Sequence, residues 1–306
     1  AVKRWKSLKT IFDMDARLRM MDEFDDYQQI ISMSQPPTDA IAGPSDSPAL
    51  TRIANDGMAR ICREHPDRMP WFIASLPMNN TQASLAEVDR VVDELGAVGF
   101  QLFTNVNNKA LDQPEFRDIF AKIAEREKII WLHPTRPATH PDYLTEDRSF
   151  YEIFWGFGWA YETSAAMARI VCSGMFDEIP DLKIIAHHWG AYAPHAEGRF
   201  TPAWENRNAV MGDEQGFAGK LKKPLIDYFK KDFYGDTAMF GAQAASQAGL
   251  DFFGADHSVF ATDAPYDHEG GAYNIRSTLE VMNNLRCSDE DRQMMFEDNA
   301  RRLFGI

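Results

Sequence analysis

Three short apolar runs in this chain each end in a side chain able to bind a metal or move a proton. Ile129–Ile130–Trp131–Leu132 runs into His133, Lys183–Ile184–Ile185–Ala186 into His187–His188, and Ser258–Val259–Phe260–Ala261–Thr262 into Asp263. Imidazole and carboxylate groups ligate divalent cations and exchange protons not far from neutrality. A short β-branched or aromatic run between helical patterns reads as a buried parallel strand. When such strands close into an α/β barrel, the residue at the C-terminal end of each faces the active site. His133, the His187–His188 pair and Asp263 are therefore candidates for one metal and acid–base site.

The elements that must position them alternate along the chain. Strands are expected near Tyr27, Trp71, Phe100, Ile129, Lys183, Phe233 and Val259. Between them, residues 48–65 read as a helix, and Leu85, Val88, Val91, Val92 and Leu95 recur at helical spacing before a stop at Gly96. Phe116, Ile119, Phe120 and Ile123 mark another helix, with Pro114 in its first turn and Asp112 as the expected cap. A further helix is expected around residues 164–173. This alternation predicts a parallel sheet with covering helices, most economically a single distorted (β/α)8 barrel over residues 1–306. Such a barrel needs eight strands and seven are visible. Met14, Leu18 and Met21 read as a helix before the first visible strand, so the missing one is expected before residue 1, leaving a gap between the Tyr27 strand and the last.

Composition narrows the function. The 306 residues are 44% hydrophobic and carry 32 basic against 46 acidic side chains, a net charge of −14. That excess argues against a nucleic-acid or anionic-membrane partner, since both need an electropositive face. No apolar run is long enough to span a membrane, and the basic start at Ala1–Lys6 lacks the apolar core of a signal peptide. Cys62, Cys172 and Cys287 are too few and too scattered for a disulfide framework, so a reducing, cytoplasmic setting is expected.

Gln101–Leu102–Phe103–Thr104–Asn105, Leu132–His133–Pro134, the stretch Ile185–Ala186–His187–His188–Trp189–Gly190–Ala191–Tyr192–Ala193–Pro194, Ala261–Thr262–Asp263–Ala264–Pro265 and Asn299–Ala300–Arg301–Arg302–Leu303–Phe304 together resemble the decarboxylase branch of the amidohydrolase superfamily. The resemblance covers the chain from about Asp15 to Ile306. It implies a distorted barrel holding one divalent metal, Zn²⁺ or Mn²⁺, at the C-terminal face. It implies His133 and Asp263 as metal ligands, with Asp263 also catalytic. Counting six residues back from Pro194, as the family pattern does, selects His188 over His187 as the acid–base residue. The family's His-x-His or Glu-x-His of the first strand does not occur near the start, where the first histidine is His65. The activity implied is non-oxidative decarboxylation of a small aromatic or unsaturated carboxylic acid. A metal-dependent hydrolase or hydratase of a ring-cleavage product is the alternative, and a non-catalytic binding protein a third if those first-strand ligands are truly absent. Resorcylate-type members carry an acidic residue three positions after the sixth-strand histidine, where Ala191 stands here.

Four readings concern the surroundings of these residues. His187, as the neighbour of His188 on an extended strand, is expected to point into the helices. Arg136, three residues beyond His133, is the candidate for binding a substrate carboxylate, against a salt bridge to Asp142 or Glu146. Asp236 is either a strand-tip residue or a cap. The run Phe150, Tyr151, Phe154, Trp155, Phe157 and Trp159 is expected to serve as pocket wall, as contact between copies in a homo-oligomer, or as core.

Overall fold

Buried apolar strands alternating with amphipathic helices set the architecture. The computed structural model describes residues 7–211 and 221–306, the side chains of 205–209 and 211 excepted. The basic start, residues 1–6, lies outside them. Strands β1 (Ile30–Ile31), β2 (Trp71–Ser75), β3 (Gly99–Phe103), β4 (Ile129–His133), β5 (Ile184–Ala186), β6 (Phe233–Asp236) and β7 (Ser258–Val259) form one parallel sheet in sequence order. The sheet curls into a TIM-barrel-like α/β fold.

The period of two along each strand separates two cores. Ile73, Ile129, Ile185 and Val259 pack inside the curl with Leu303 and Phe304. Ala74, Ile130, Leu132, Ile184 and Ala186 belong to the larger core shared with the covering helices. The C-terminal helix Asn299–Phe304 plugs the inner core away from the strand tips. Trp131 stacks on Phe304 with ring centroids 6.1 Å apart, and Asn299 Nδ2 donates to the carbonyls of Ala255 and Ser258, each at 2.7 Å.

Among the described residues β1 and β7 are the two edges of the sheet. They approach through side chains: Tyr27 Oη lies 3.2 Å from Thr262 Oγ1, and its ring meets Phe260 edge-on at 6.5 Å between centroids. Among the described residues the two edges thus leave the expected gap, bridged by a phenol and a hydroxyl.

Local signals mostly act as expected. Asn80 caps the helix Thr81–Arg90 through Ala83 N–H at 3.0 Å, and the wider turn Val91–Leu95 stops at Gly96, whose φ of 74° suits glycine. One cap differs. Pro114 opens the helix Pro114–Glu125 and forces the residue before it to be extended, so Gln113 is the boundary and Asp112 falls one position too early. Asp112 instead receives Arg169 Nε and Nη2 at 2.8 and 2.9 Å.

Candidate functional site

His133 ends β4 in phase with Ile129 and Trp131, which turns its ring into the curl. Its Nδ1 lies 2.6 Å from the Pro134 carbonyl oxygen. A carbonyl only accepts, so Nδ1 carries the proton and Nε2 keeps its lone pair, the tautomer a metal ligand needs. Burial, and then the neighbouring His187 and His188, hold the His133 pKa well below the ordinary histidine value, so the ring is neutral.

His187 corrects the sequence reading. Strand β5 stops at Ala186, and His187 continues the phase of Ile185, so it faces the interior and not the helices. Its ring centroid is 4.7 Å from that of His133 and 5.2 Å from that of His188. Alternation would send His188 outward. A left-handed backbone, with φ of 57° at His188 and 45° at Trp189, swings it back to the cavity. Trp189 holds that turn: its buried indole rests against Gly235 and Gly249, where a Cβ would come within 2.3 and 2.4 Å of the ring, and its Nε1 donates to Ser258 Oγ at 2.9 Å. His188 Nδ1 is satisfied by the Ala238 carbonyl. Burial pushes the His187 pKa well below its usual value, with His188 adding to the effect.

Asp236, fully buried at the tip of β6, organises this wall. Its Oδ1 accepts the N–H groups of His188 and Ala238 at 2.9 and 3.1 Å. Its Oδ2 accepts Trp131 Nε1 at 2.8 Å and lies 3.1 Å from His187 Nδ1. His187, His188 and Asp236 place ligand atoms within 4.8 Å of one another and could hold a metal ion. With the Asp236 oxygens so engaged, the imidazole Nε2 atoms of His133, His187 and His188 are the better donors, having no hydrogen-bond partner among the described residues. Imidazoles whose Nδ1 is held by a backbone carbonyl, as at His133 and His188, keep Nε2 for a divalent cation or a proton.

Asp263 follows β7 in a left-handed backbone, φ 57°, and lines the same cavity. Burial raises its carboxyl to about 6; His188 opposes the rise, while Asp236 and Asp267 add to it. His133, His188, Asp263 and Arg136 therefore all line one cavity of about 2470 Å³, which runs from the strand tips down the gap between β1 and β7. Arg136 pairs with Glu162 at 3.2 Å and with the Pro141 carbonyl at 3.2 Å, not with Asp142 or Glu146. Its Nε is buried with no hydrogen-bond partner. Of the aromatic run, Phe154, Trp155 and Trp159 line the cavity, while Tyr151 and Phe157 are exposed; none joins the core.

Sequence reasoning missed Trp131, Gln35, Arg17, Tyr27 and Tyr266 as cavity residues. The period of two in β4 could have found Trp131, whereas the apolar spacing of Met14, Leu18 and Met21 on the helix Met14–Met21 says nothing of where Arg17 points.

Among known proteins, the chain is 31% identical over 318 residues to the gamma-resorcylate decarboxylase of Polaromonas sp. strain JS666, covering 99% of this chain and 91% of the relative. The crystal structure of 5-carboxyvanillate decarboxylase from Sphingomonas paucimobilis superposes with a TM-score of 0.82 at 25% identity, covering 95% of this chain and 82% of that one. The structure of a dihydroxybenzoic acid decarboxylase from Polaromonas sp. JS666, with bound manganese and the inhibitor 2-nitroresorcinol, gives 0.80 at 26% identity over 100% of this chain and 90% of that one. Strand-tip histidines and aspartate in a TIM-barrel-like sheet agree with the sequence model that matches residues 7–306, and the chain belongs to the amidohydrolase family.

Proposed function

We propose that this protein is a metal-dependent, non-oxidative decarboxylase acting on a small aromatic or unsaturated carboxylic acid. The observation that carries the reading is the gathering of His133, His187, His188 and Asp263 on one cavity, with Nδ1 of His133 and of His188 held by backbone carbonyls so that Nε2 of each is left for a ligand or a proton. The names of these three relatives, each a decarboxylase of an aromatic acid, agree with it. One divalent cation, Mn²⁺ or Zn²⁺, held by His133 and Asp263 with the neighbouring His187, would orient the substrate carboxylate and spread its developing charge.

The chain's own groups supply the rest. As the bond from the ring carbon to the carboxylate breaks, its electron pair stays on that carbon and CO₂ leaves. Asp263, the carboxyl group on the cavity wall, delivers a proton to the same carbon, and water then reprotonates it. His188 Nε2 reaches the cavity beside Asp263 and assists that transfer. Arg136 presents guanidinium N–H to a substrate oxygen, and Trp159 and Phe154 wall a planar ring away from water. The one seven-stranded sheet and the family match over residues 7–306 support one domain. The exposed Tyr143, Leu144, Tyr151 and Phe157 support association of copies into a homo-oligomer, and three free cysteines support a reducing, cytoplasmic setting.

The test is turnover of 2,6-dihydroxybenzoate by manganese-loaded protein in D₂O, with CO₂ and deuterium in the product followed together. One deuterium per CO₂ is expected. Water addition or ester cleavage without CO₂ release would move the assignment to a hydratase or hydrolase.

A further inference from the structure

We propose that Phe240, with Ala191, Met239 and Ala245, forms an apolar strip leading from His188 to the rim of the cavity, and that the strip takes an apolar chain carried by the aromatic ring of the substrate. The inference deepens the decarboxylase reading and rests on it: the carboxylate to be lost goes to the histidine wall, and a ring substituent of several carbons lies along the strip.

Phe240 is unfavourable in two ways. Its backbone is left-handed, with φ of 51°, a conformation that a bulky residue rarely adopts and keeps only where its surroundings impose it. Its side chain is 44% exposed although it sits on the cavity wall beside His188, the two ring centroids 5.2 Å apart. The loop that carries it is pinned. Ala238 N–H donates to Asp236 Oδ1 at 3.1 Å, the Ala238 carbonyl accepts His188 Nδ1, and Ala242 N–H closes the turn on the Met239 carbonyl at 2.9 Å. Gly241 then lies so close to the helix Ala272–Asn284 that a Cβ would come within 3.3 Å of Ser277 Cβ. One loop thus fixes the imidazole and lays an uncovered phenyl ring next to it. Core packing does not account for the ring, because Phe240 joins neither apolar core.

The neighbours of Phe240 extend the same surface. Ala191, Met239 and Ala245 line the cavity from the loop after β5, the loop after β6 and the first turn of the helix Gln243–Phe253. Ala191, itself left-handed at φ 57°, closes the turn that begins at His188, its N–H donating to the His188 carbonyl at 2.8 Å. Methyl groups at 191 and 245 give a substituent no hydrogen bond, and the Met239 thioether is only a weak acceptor. A hydroxyl or charged group placed against them would lose water without gaining a partner, whereas an alkyl or aryl chain would cover Phe240. Ala245 is exposed, so the strip opens to solvent and suits a chain longer than a single methyl. Strands β5 and β6 are interior in the sheet, so these residues stand apart from its two edges.

The experiment is calorimetric binding of benzoate and its 2-, 3- and 4-butyl derivatives to manganese-loaded protein, wild type and variants, without turnover. At least one butyl isomer is expected to bind wild type about tenfold or more tightly than benzoate, since each buried methylene is worth about three- to fourfold. Phe240→Asn removes the ring but keeps a residue that accepts the left-handed backbone. It should bring the ratio to within about threefold of one, with benzoate affinity and melting temperature unchanged. Ala245→Asp, at the exposed end, should lower the ratio by a smaller factor. No butyl preference in wild type, or an unchanged ratio in Phe240→Asn, would overturn the assignment. An equal loss of benzoate and butylbenzoate binding in Phe240→Asn would show that the ring only supports His188, and overturns it too. So would a second copy of the chain covering Phe240, seen in light scattering as a lower molecular mass for Phe240→Asn with no butyl preference in either protein. Should Phe240→Asn fail to fold, an unaltered ratio in Ala245→Asp overturns the strip on its own. A butyl preference that Phe240→Asn removes, without CO₂ release from any hydroxybenzoate, would discard the decarboxylase reading and leave the strip standing.

Discussion

The centre of the sheet and its two edges meet the same cavity by different means. At the centre, β4 to β6 bring three imidazoles together, and the buried Asp236 accepts from Trp131 and from two backbone N–H groups around them. At the edges, β1 and β7 are joined through Tyr27 and Thr262 side chains, with Asp263 raised in pKa and Arg17 lowered. Groups fixed before a ligand arrives avoid reorganisation when it binds, which suits a cation site. A buried carboxyl facing a cavity is placed to exchange a proton with what enters it, which suits proton delivery.

The largest expected effect breaks the edge wall. Asp263→Asn should lower CO₂ release by at least roughly 10²–10⁴-fold with circular dichroism unchanged, because an amide is nearly isosteric but has neither the charge nor the proton. Near-wild-type release in the metal-loaded variant would sink the proposed mechanism.

At the central wall, two histidine variants should part company. His133→Ala should lose bound metal by elemental analysis, while His188→Ala should keep it and lose rate by about 10²-fold. Unaltered metal content in His133→Ala would take that residue out of the ligand set.

Asp236→Asn tests whether the centre is held from behind. An amide offers one acceptor oxygen and turns donors toward the Trp131 indole or the His188 and Ala238 N–H groups, for a loss of about 3 kcal/mol in denaturant unfolding. A melting curve superposable on wild type would show that the central wall stands without it.

The smallest effect uses a buried carboxylate away from both walls. Burial raises Asp39 from 3.8 to about 6, and a hydrogen bond from its own backbone N–H opposes the rise. The folded state thus holds this proton more tightly than the unfolded chain, so stability falls as pH climbs from about 4 to about 6 and stays lower above. Asp39→Asn should raise stability at pH 8 by up to about 2 kcal/mol and have little effect below pH 4. Equal gains at both pH values would mean that ionisation of Asp39 is not the cause.

By itself the sequence determined the seven strands, their parallel order and three of the cavity residues, because apolar runs of strand length ending in His or Asp are local patterns. It determined also that neighbouring residues on a strand face opposite ways. Only the tertiary structure decided which way. Strand β5 ends one residue before His187, and the left-handed turn seated on Gly235 and Gly249 brings His188 back beside it, a result of packing between segments about 50 residues apart. Arg17 was equally out of reach of local reading: the apolar spacing of its helix places Met20 and Met21 in the core and says nothing of the cavity that Arg17 lines. Periodicity along a chain reports which face is apolar, whereas the partner of a charge depends on what the fold carries to it from elsewhere.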